Sequence, residues 1–138
     1  MQRPDELRDK RNELFRNLES PDTSSRFFDQ VADDVRWLLL GNHPLAGEYH
    51  SKADFRRATY ERLTPLTENG IQMNIEGVHI DGDIAIGEMT SRTVALDGKP
   101  YDQIYVWVCR FDGDTIVEVR AYVDSKPVYD ILRLERHN

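Results

Sequence analysis

The sequence predicts an α+β domain, a cone-shaped α+β barrel in which helices pack on a strongly curved antiparallel sheet and enclose a pocket. Two observations carry this. The first 65 residues read mainly as amphipathic helices around one short apolar strand, whereas the chain beyond Gly70 is a series of long β-rich runs. Those runs are separated by Asp-Gly turns at Asp81-Gly82, Asp97-Gly98 and Asp112-Gly113, and Asp and Gly tolerate the positive φ that tight hairpins need.

The elements follow in order. From Asp5 to Leu18, Leu7, Leu14, Phe15 and Leu18 recur at helical spacing among charged residues, giving an amphipathic first helix. "SPDTSS" breaks it, and Ser24 or Ser25 can cap a short second helix, "RFFDQVA". "DDVRWLLLG" reads as a buried strand. "GNHPLAGEYHSKADF" then turns a corner, and Ser51, three residues before Asp54, starts a third helix that runs to Thr64-Pro65. Four long strands come next. In the first, Ile71, Met73 and Ile75 give way to Val78 and Ile80, so the alternation flips at Gly77, as a β-bulge would make it. The tail "SKPVYDILRLERHN" fits a short strand or a helix. The predicted order is α-α-β-β-α-β-β-β-β, one domain over residues 1–138.

Composition narrows the function. The 138 residues carry a net charge of −7, which repels phosphate backbones, and no basic stripe interleaved with aromatics offsets it; nucleic acid is not the expected partner. The apolar runs are too short to cross a membrane, since a spanning helix needs about 20 apolar residues. The charged start "MQRPDELRDKRNELF" has no signal-peptide pattern, so the expected location is cytoplasmic. Cys109 is the only cysteine, which excludes an internal disulfide and a cysteine-rich zinc site. His43 and His50 stand seven apart across Pro44 and Gly47, a spacing that suits neither a helical nor a strand metal pair, so no metal and no cofactor is expected.

Several residues could carry chemistry. On "YDQIYVWVC", Tyr101, Gln103, Tyr105, Trp107 and Cys109 share a face; Tyr105 and Trp107 suit pocket walls because each joins a large apolar body to one donor, and Gln103 would be the polar group near the mouth. Trp37 in "VRWLLL" is a candidate for the pocket floor. Glu88 shares a face with Ile84, Ile86, Thr90 and Arg92; on a concave face its carboxylate would have a raised pKa and could act as acid or base. On an outer face it would be one of a solvated pair. His43 could transfer protons at the open end. For Asp124, strand alternation with Val119, Ala121 and Val123 facing the core points the carboxylate outward unless a bulge intervenes.

"ADDVRW", "HPLAGEYHSKADF", "GKPYDQIYVWVCRF" and "DGDTIVEVRAYVD", in this order and spacing, resemble the SnoaL-like, ketosteroid isomerase-related branch of the nuclear transport factor 2-like superfamily, over about Phe27 to Leu132. The resemblance implies a cone around an apolar pocket that binds a small apolar molecule, and a homodimer through the sheet's outer face. It also implies that Asp124 matches the base of SnoaL-type cyclases. Steroid isomerisation uses an Asp base with a Tyr and a protonated Asp on the oxyanion; the corresponding positions here are Leu39 and Trp107, which cannot do that work. An acid–base enzyme without cofactor, with Asp124, Glu88 and His43 handling protons, is one expectation. The alternatives are a ligand-binding protein without catalysis and a protein-interaction module of the same fold.

Overall fold

The computed structural model describes residues 3–137. Helix α1 spans Pro4–Arg16 and ends in a single 3₁₀ turn at Asn17–Glu19. Pro4 at its first turn, with Asp5 and Glu6 beside it, suits an N-terminus that has spare N–H groups and a positive dipole end. Leu7, Arg11, Leu14, Phe15 and Leu18 form its inward stripe. Arg11 is the unexpected member. Its guanidinium lies 3.7 Å over the Phe111 ring and donates to the Gly113 carbonyl at 3.1 Å, so a buried cation ties α1 to the turn at Gly113.

Helix α2 covers Ser24–Asp29, and β1 follows at once as Val31–Leu40, two residues earlier than the sequence suggests. β2 is the short strand Gly47–Tyr49. The predicted third helix is two: α3, Lys52–Ala58, and α4, Tyr60–Leu63. The break falls at Thr59, whose φ of −118° and ψ of −81° leave the helical region. Ser51 caps α3 as expected, accepting the Asp54 N–H at 3.0 Å.

β3 (Met73–Asp81), β4 (Ile84–Ser91), β5 (Ile104–Asp112) and β6 (Thr115–Val123) form the meander. Gly82 and Gly113 make its two tight turns with φ of 60° and 64°. The connection between β4 and β5 is looser. Residues 92–103 leave the ladder; the bridge Val94–Pro100 folds this loop on itself, the bridge Thr67–Ala95 ties it to the segment after α4, and Gln103 bonds back to β4 through its carbonyl and the Ser91 N–H at 2.9 Å. The β3–β4 register slips between Ile75 and Gly77, so the bulge read from the phase flip is present. The tail folds as α5, Ser125–Leu132.

The six strands lie in the order β2-β1-β6-β5-β4-β3. Two expectations are corrected here. The sheet is mixed, because β1 runs parallel to β6: their relative direction is set by the long path through α3, α4 and the meander, not by a hairpin. The barrel is also open, with β2 and β3 as its edges. Helix α1 packs on β3 at one edge, and α3 packs on β1 and the edge strand β2 at the other, so helices rather than strands complete the wrap.

Aromatic rings fill the interior. Trp37 stacks on Phe55 with centroids 3.7 Å apart and planes at 17°, and meets Trp107 edge-on at 5.1 Å. Phe27 contacts Phe15, Phe28 and Trp107 at 5.3 to 5.6 Å. Offset and edge-on pairs of this kind contribute beyond their buried area. Phe15 also rests directly on the backbone of β4, where only Gly87 leaves room: a Cβ there would lie 2.3 Å from Phe15 Cε1.

Candidate functional site

The aromatic cluster fills the narrow end, and free space remains at the other end. There, α3, α4, α5 and the loops 41–46 and 92–103 converge over the ends of β1, β3, β5 and β6. An apolar cavity of about 50 Å³ lies among Leu39, Leu63, Met73, Trp107, Val123 and Val128. Since one water needs roughly 10–15 Å³ by this measure, the space suits a few heavy atoms. Val128 of α5 covers it from outside.

Three tyrosines line the same cavity: Tyr60, Tyr101 and Tyr105. Burial raises the pKa of each, most strongly for Tyr105, where the neighbouring Tyr101 and Tyr60 add to the effect and the Ser91 hydroxyl opposes it. All three therefore stay protonated at ordinary pH and keep an O–H to donate. The Tyr101 oxygen accepts from Gln103 Nε2 at 3.2 Å. The Tyr60 hydroxyl is buried and has no hydrogen-bond partner.

His43 lines the cavity and is 7% exposed. Its Nδ1 accepts the Leu45 N–H at 3.2 Å, which places the proton on Nε2, 3.4 Å from the Leu40 carbonyl. Desolvation lowers its pKa, with the Leu40 carbonyl acting the other way, so the ring is neutral near pH 7. The ring thus braces the corner between β1 and β2. Gly41 makes room for it: at φ 134°, a Cβ on Gly41 would meet His43 Cδ2 at 2.7 Å. His50 is exposed and pairs with Glu48 at 3.3 Å.

The other sequence candidates are distributed differently. Tyr105 and Trp107 are walls of the cavity. Trp37 is completely buried behind Trp107 and Phe55 and does not line it, which corrects its reading as pocket floor; its Nε1 lacks a partner. Gln103 is 1% exposed, and its amide is fully used inside the protein. Besides the bond to Tyr101, Nε2 donates to the Asp124 carbonyl at 2.9 Å, while Oε1 accepts the N–H groups of Ile104 at 2.9 Å and Asp124 at 2.8 Å. A side chain bonded in this way has no spare capacity for a ligand, so Gln103 positions Tyr101 and the start of α5 instead.

Glu88 is on the outer face. The inward residues of β4 are Ala85, Gly87 and Met89, so Glu88 points to solvent and pairs with His79 across the bulged strand. The reading of Glu88 as a concave-face carboxylate is corrected accordingly. Gly87 faces inward without a side chain because Phe15 occupies the space above it. The Asp124 carboxylate is exposed, as alternation from Val119 and Ala121 requires, and it borders a polar groove between the 92–103 loop and α5 rather than the cavity. The cavity lining contains no carboxylate. Among the described residues no group of three or more His, Cys, Asp or Glu side chains could hold a metal ion. No helix among them is long and apolar enough to cross a membrane.

An open, helix-wrapped sheet with a cavity at its wide end is the architecture of the nuclear transport factor 2-like proteins. The match to known proteins agrees. The SnoaL-like domain model matches residues 12–119, and the chain belongs to that family. An NTF2-like protein from Burkholderia thailandensis superposes with a TM-score of 0.74 at 20% identity, covering 96% of this chain and 98% of the other. An NTF2-like protein from Anabaena variabilis gives 0.68 at 19% identity, over 93% and 97% of the two chains. Among curated proteins, the chain is 28% identical over 117 residues to dimerizing cyclase phiC of a fungal species, covering 82% of this chain and 51% of that protein. It is also 28% identical over 102 residues to dimerizing cyclase tstC of Talaromyces stipitatus, over 71% and 45%. The chain thus spans about half the length of the curated relatives it matches.

Proposed function

We propose that the chain binds a small, largely apolar, carbonyl-bearing molecule at the wide end of the cone and promotes cofactor-independent acid–base chemistry on it, of the cyclase or isomerase type. The observation that carries this is three protonated tyrosines and a neutral histidine among the residues that line a largely apolar cavity with no carboxylate. Hydroxyl donors fixed in a low-dielectric space stabilise negative charge developing on a carbonyl oxygen, and do so without having to reorganise during the reaction. The neutral His43 ring is the cavity's proton acceptor, and taking a proton on Nδ1 requires it to release the Leu45 N–H. Similarity to two proteins named dimerizing cyclases favours a ring-forming reaction over hydrolysis.

We further infer that two copies associate through the outer face of the sheet. Ile104 is 59% exposed there and Tyr122 45%, on adjacent strands with the half-buried Val106 between them. A contiguous apolar patch of this kind marks an interaction surface.

The test is α-proton exchange of 2-pentanone in D₂O, followed by NMR. Exchange accelerated by the protein and reduced at least tenfold in Tyr105→Phe or His43→Gln supports the catalytic reading. Binding of 2-pentanone with no acceleration of exchange contradicts it and leaves the chain a binding protein.

A further inference from the structure

Beside the cavity lies a second concavity, of about 380 Å³, between the 20–24 turn and the α3–α4 pair. Tyr60 and Ile71 line both spaces and form the partition between them. The polar residues of this cleft divide into two sets. The Ser24 hydroxyl donates to the Pro21 carbonyl and the Thr64 hydroxyl to the Tyr60 carbonyl, so both are satisfied within their own segments. Arg56 and Tyr60 are not. Arg56 Nε and the Tyr60 hydroxyl are both buried without a hydrogen-bond partner, and Arg56 makes no ion pair among the described residues.

One ring holds the two groups together. The Arg56 guanidinium carbon sits 4.5 Å over the Phe28 ring, and Tyr60 meets the same ring edge-on with centroids 5.2 Å apart. The Arg56 charge acts on the Tyr60 hydroxyl, working against the rise in pKa that burial produces. Buried polar groups in folded proteins nearly always have partners, and leaving two adjacent donors bare is costly. Both donate, one carries an uncompensated positive charge, and arginine has no acceptor to offer. Their missing partner is therefore an anionic acceptor. Glu61 lines the same cleft but is exposed, where water screens it, and it does not pair with Arg56.

We infer that the Arg56–Tyr60 cleft is the carboxylate-binding subsite for the molecule whose apolar part enters the cavity, so the ligand class is a small carboxylic acid with a short apolar tail. The inference rests on the reading of the cavity as a binding site and adds the charged end of the ligand. A carboxylate spanning Arg56 Nε–H and Tyr60 O–H forms two charge-assisted hydrogen bonds, and its tail passes the Tyr60–Ile71 partition toward Trp107.

The test uses intrinsic tryptophan fluorescence, since Trp107 lines the cavity, with hexanoate and 1-hexanol as probes of equal chain length. Hexanoate is expected to bind at least tenfold more tightly than 1-hexanol. Arg56→Gln is expected to bring hexanoate down to the level of 1-hexanol, and Tyr60→Phe to weaken hexanoate three- to tenfold and so to narrow its advantage over 1-hexanol. Equal binding of the two probes by the native protein overturns the carboxylate subsite but leaves the cavity as a binding site. Retention of hexanoate affinity in both variants does the same. Failure of both probes to bind overturns the subsite and the cavity reading together. If Arg56→Gln does not fold, as judged by near-ultraviolet circular dichroism, the probe ratio and Tyr60→Phe decide.

Discussion

The side chain of Gln103 and the backbone of Asp124 form a closed pair of hydrogen bonds, Nε2–H to the Asp124 carbonyl at 2.9 Å and Asp124 N–H to Oε1 at 2.8 Å. The β5–β6 ladder ends at Tyr105 and Val123, and the Gln103 amide continues it for one further step in place of backbone. The bond pair fixes where α5 leaves the sheet. Because Val128 and Ile131 of α5 are buried, it also fixes the cover of the cavity.

Gln103→Ala removes both bonds and leaves the Asp124 backbone groups without their partner. The expected loss is about 1–3 kcal/mol of unfolding free energy. Hydrogen exchange is the sharper measurement. The Asp124 amide and the amides of α5 should lose more protection in the variant than those in the middle of β5 and β6, which change only by the global loss of stability.

Gly87→Ala tests the contact between α1 and the sheet. The added methyl would lie within 2.3–3.0 Å of three atoms of the Phe15 ring. Phe15 is completely buried against Phe27, so moving the ring disturbs packed neighbours. Denaturant unfolding should show a loss of about 1–3 kcal/mol, the usual scale for overpacking.

His43 makes stability depend on pH in a defined direction. Its folded-state pKa is below the unfolded value of about 6.5. The unfolded chain therefore binds the proton more readily. The contribution of the neutral ring is complete above pH 6.5 and is lost as the pH falls through the folded-state pKa. Urea midpoints measured from pH 7.5 down to 5.5 should fall more steeply for the native protein than for His43→Gln.

Tyr60→Phe separates function from stability. In the ligand-free protein the Tyr60 hydroxyl is a buried group without a partner, so its deletion should leave thermal stability unchanged or raise it. Tyr105→Phe at the neighbouring wall offers the comparison, because that hydroxyl has Ser91 beside it and its removal should lower stability. A marked loss in Tyr60→Phe would mean the hydroxyl has a structural partner.

Much of this molecule is legible in the sequence wherever one face of a strand is plainly more apolar than the other. The alternation in β6 gives Val119 and Ala121 inward and Asp124 outward, the Asp-Gly turns mark the two tight hairpins, and the flip at Gly77 marks the bulge. In β4 the same reasoning misleads, because its inward set is Ala85, Gly87 and Met89 and its outward set includes Ile84 and Ile86. Gly87 there answers to Phe15, a residue of α1 far away along the chain, and a mid-strand glycine is the one hint. Similarly, a polar residue on a core-facing strand position suggested a ligand contact at Gln103, whereas its partner is the backbone of a residue 21 positions later. Neither the break at Thr59 nor the bare Tyr60 hydroxyl has a local signature, since both depend on how α3 and α4 settle against Phe28.

On the proposed function, the tyrosine-lined cavity engages a carbonyl oxygen and promotes loss of the adjacent proton. The most direct measurement is the rate of deuterium incorporation into 2-pentanone by the native protein and by Tyr105→Phe, each checked for folding, at pH 7.5. Saturable exchange that falls at least tenfold in the variant is the predicted result. Exchange no faster than in buffer, or equal in the two proteins, would contradict it.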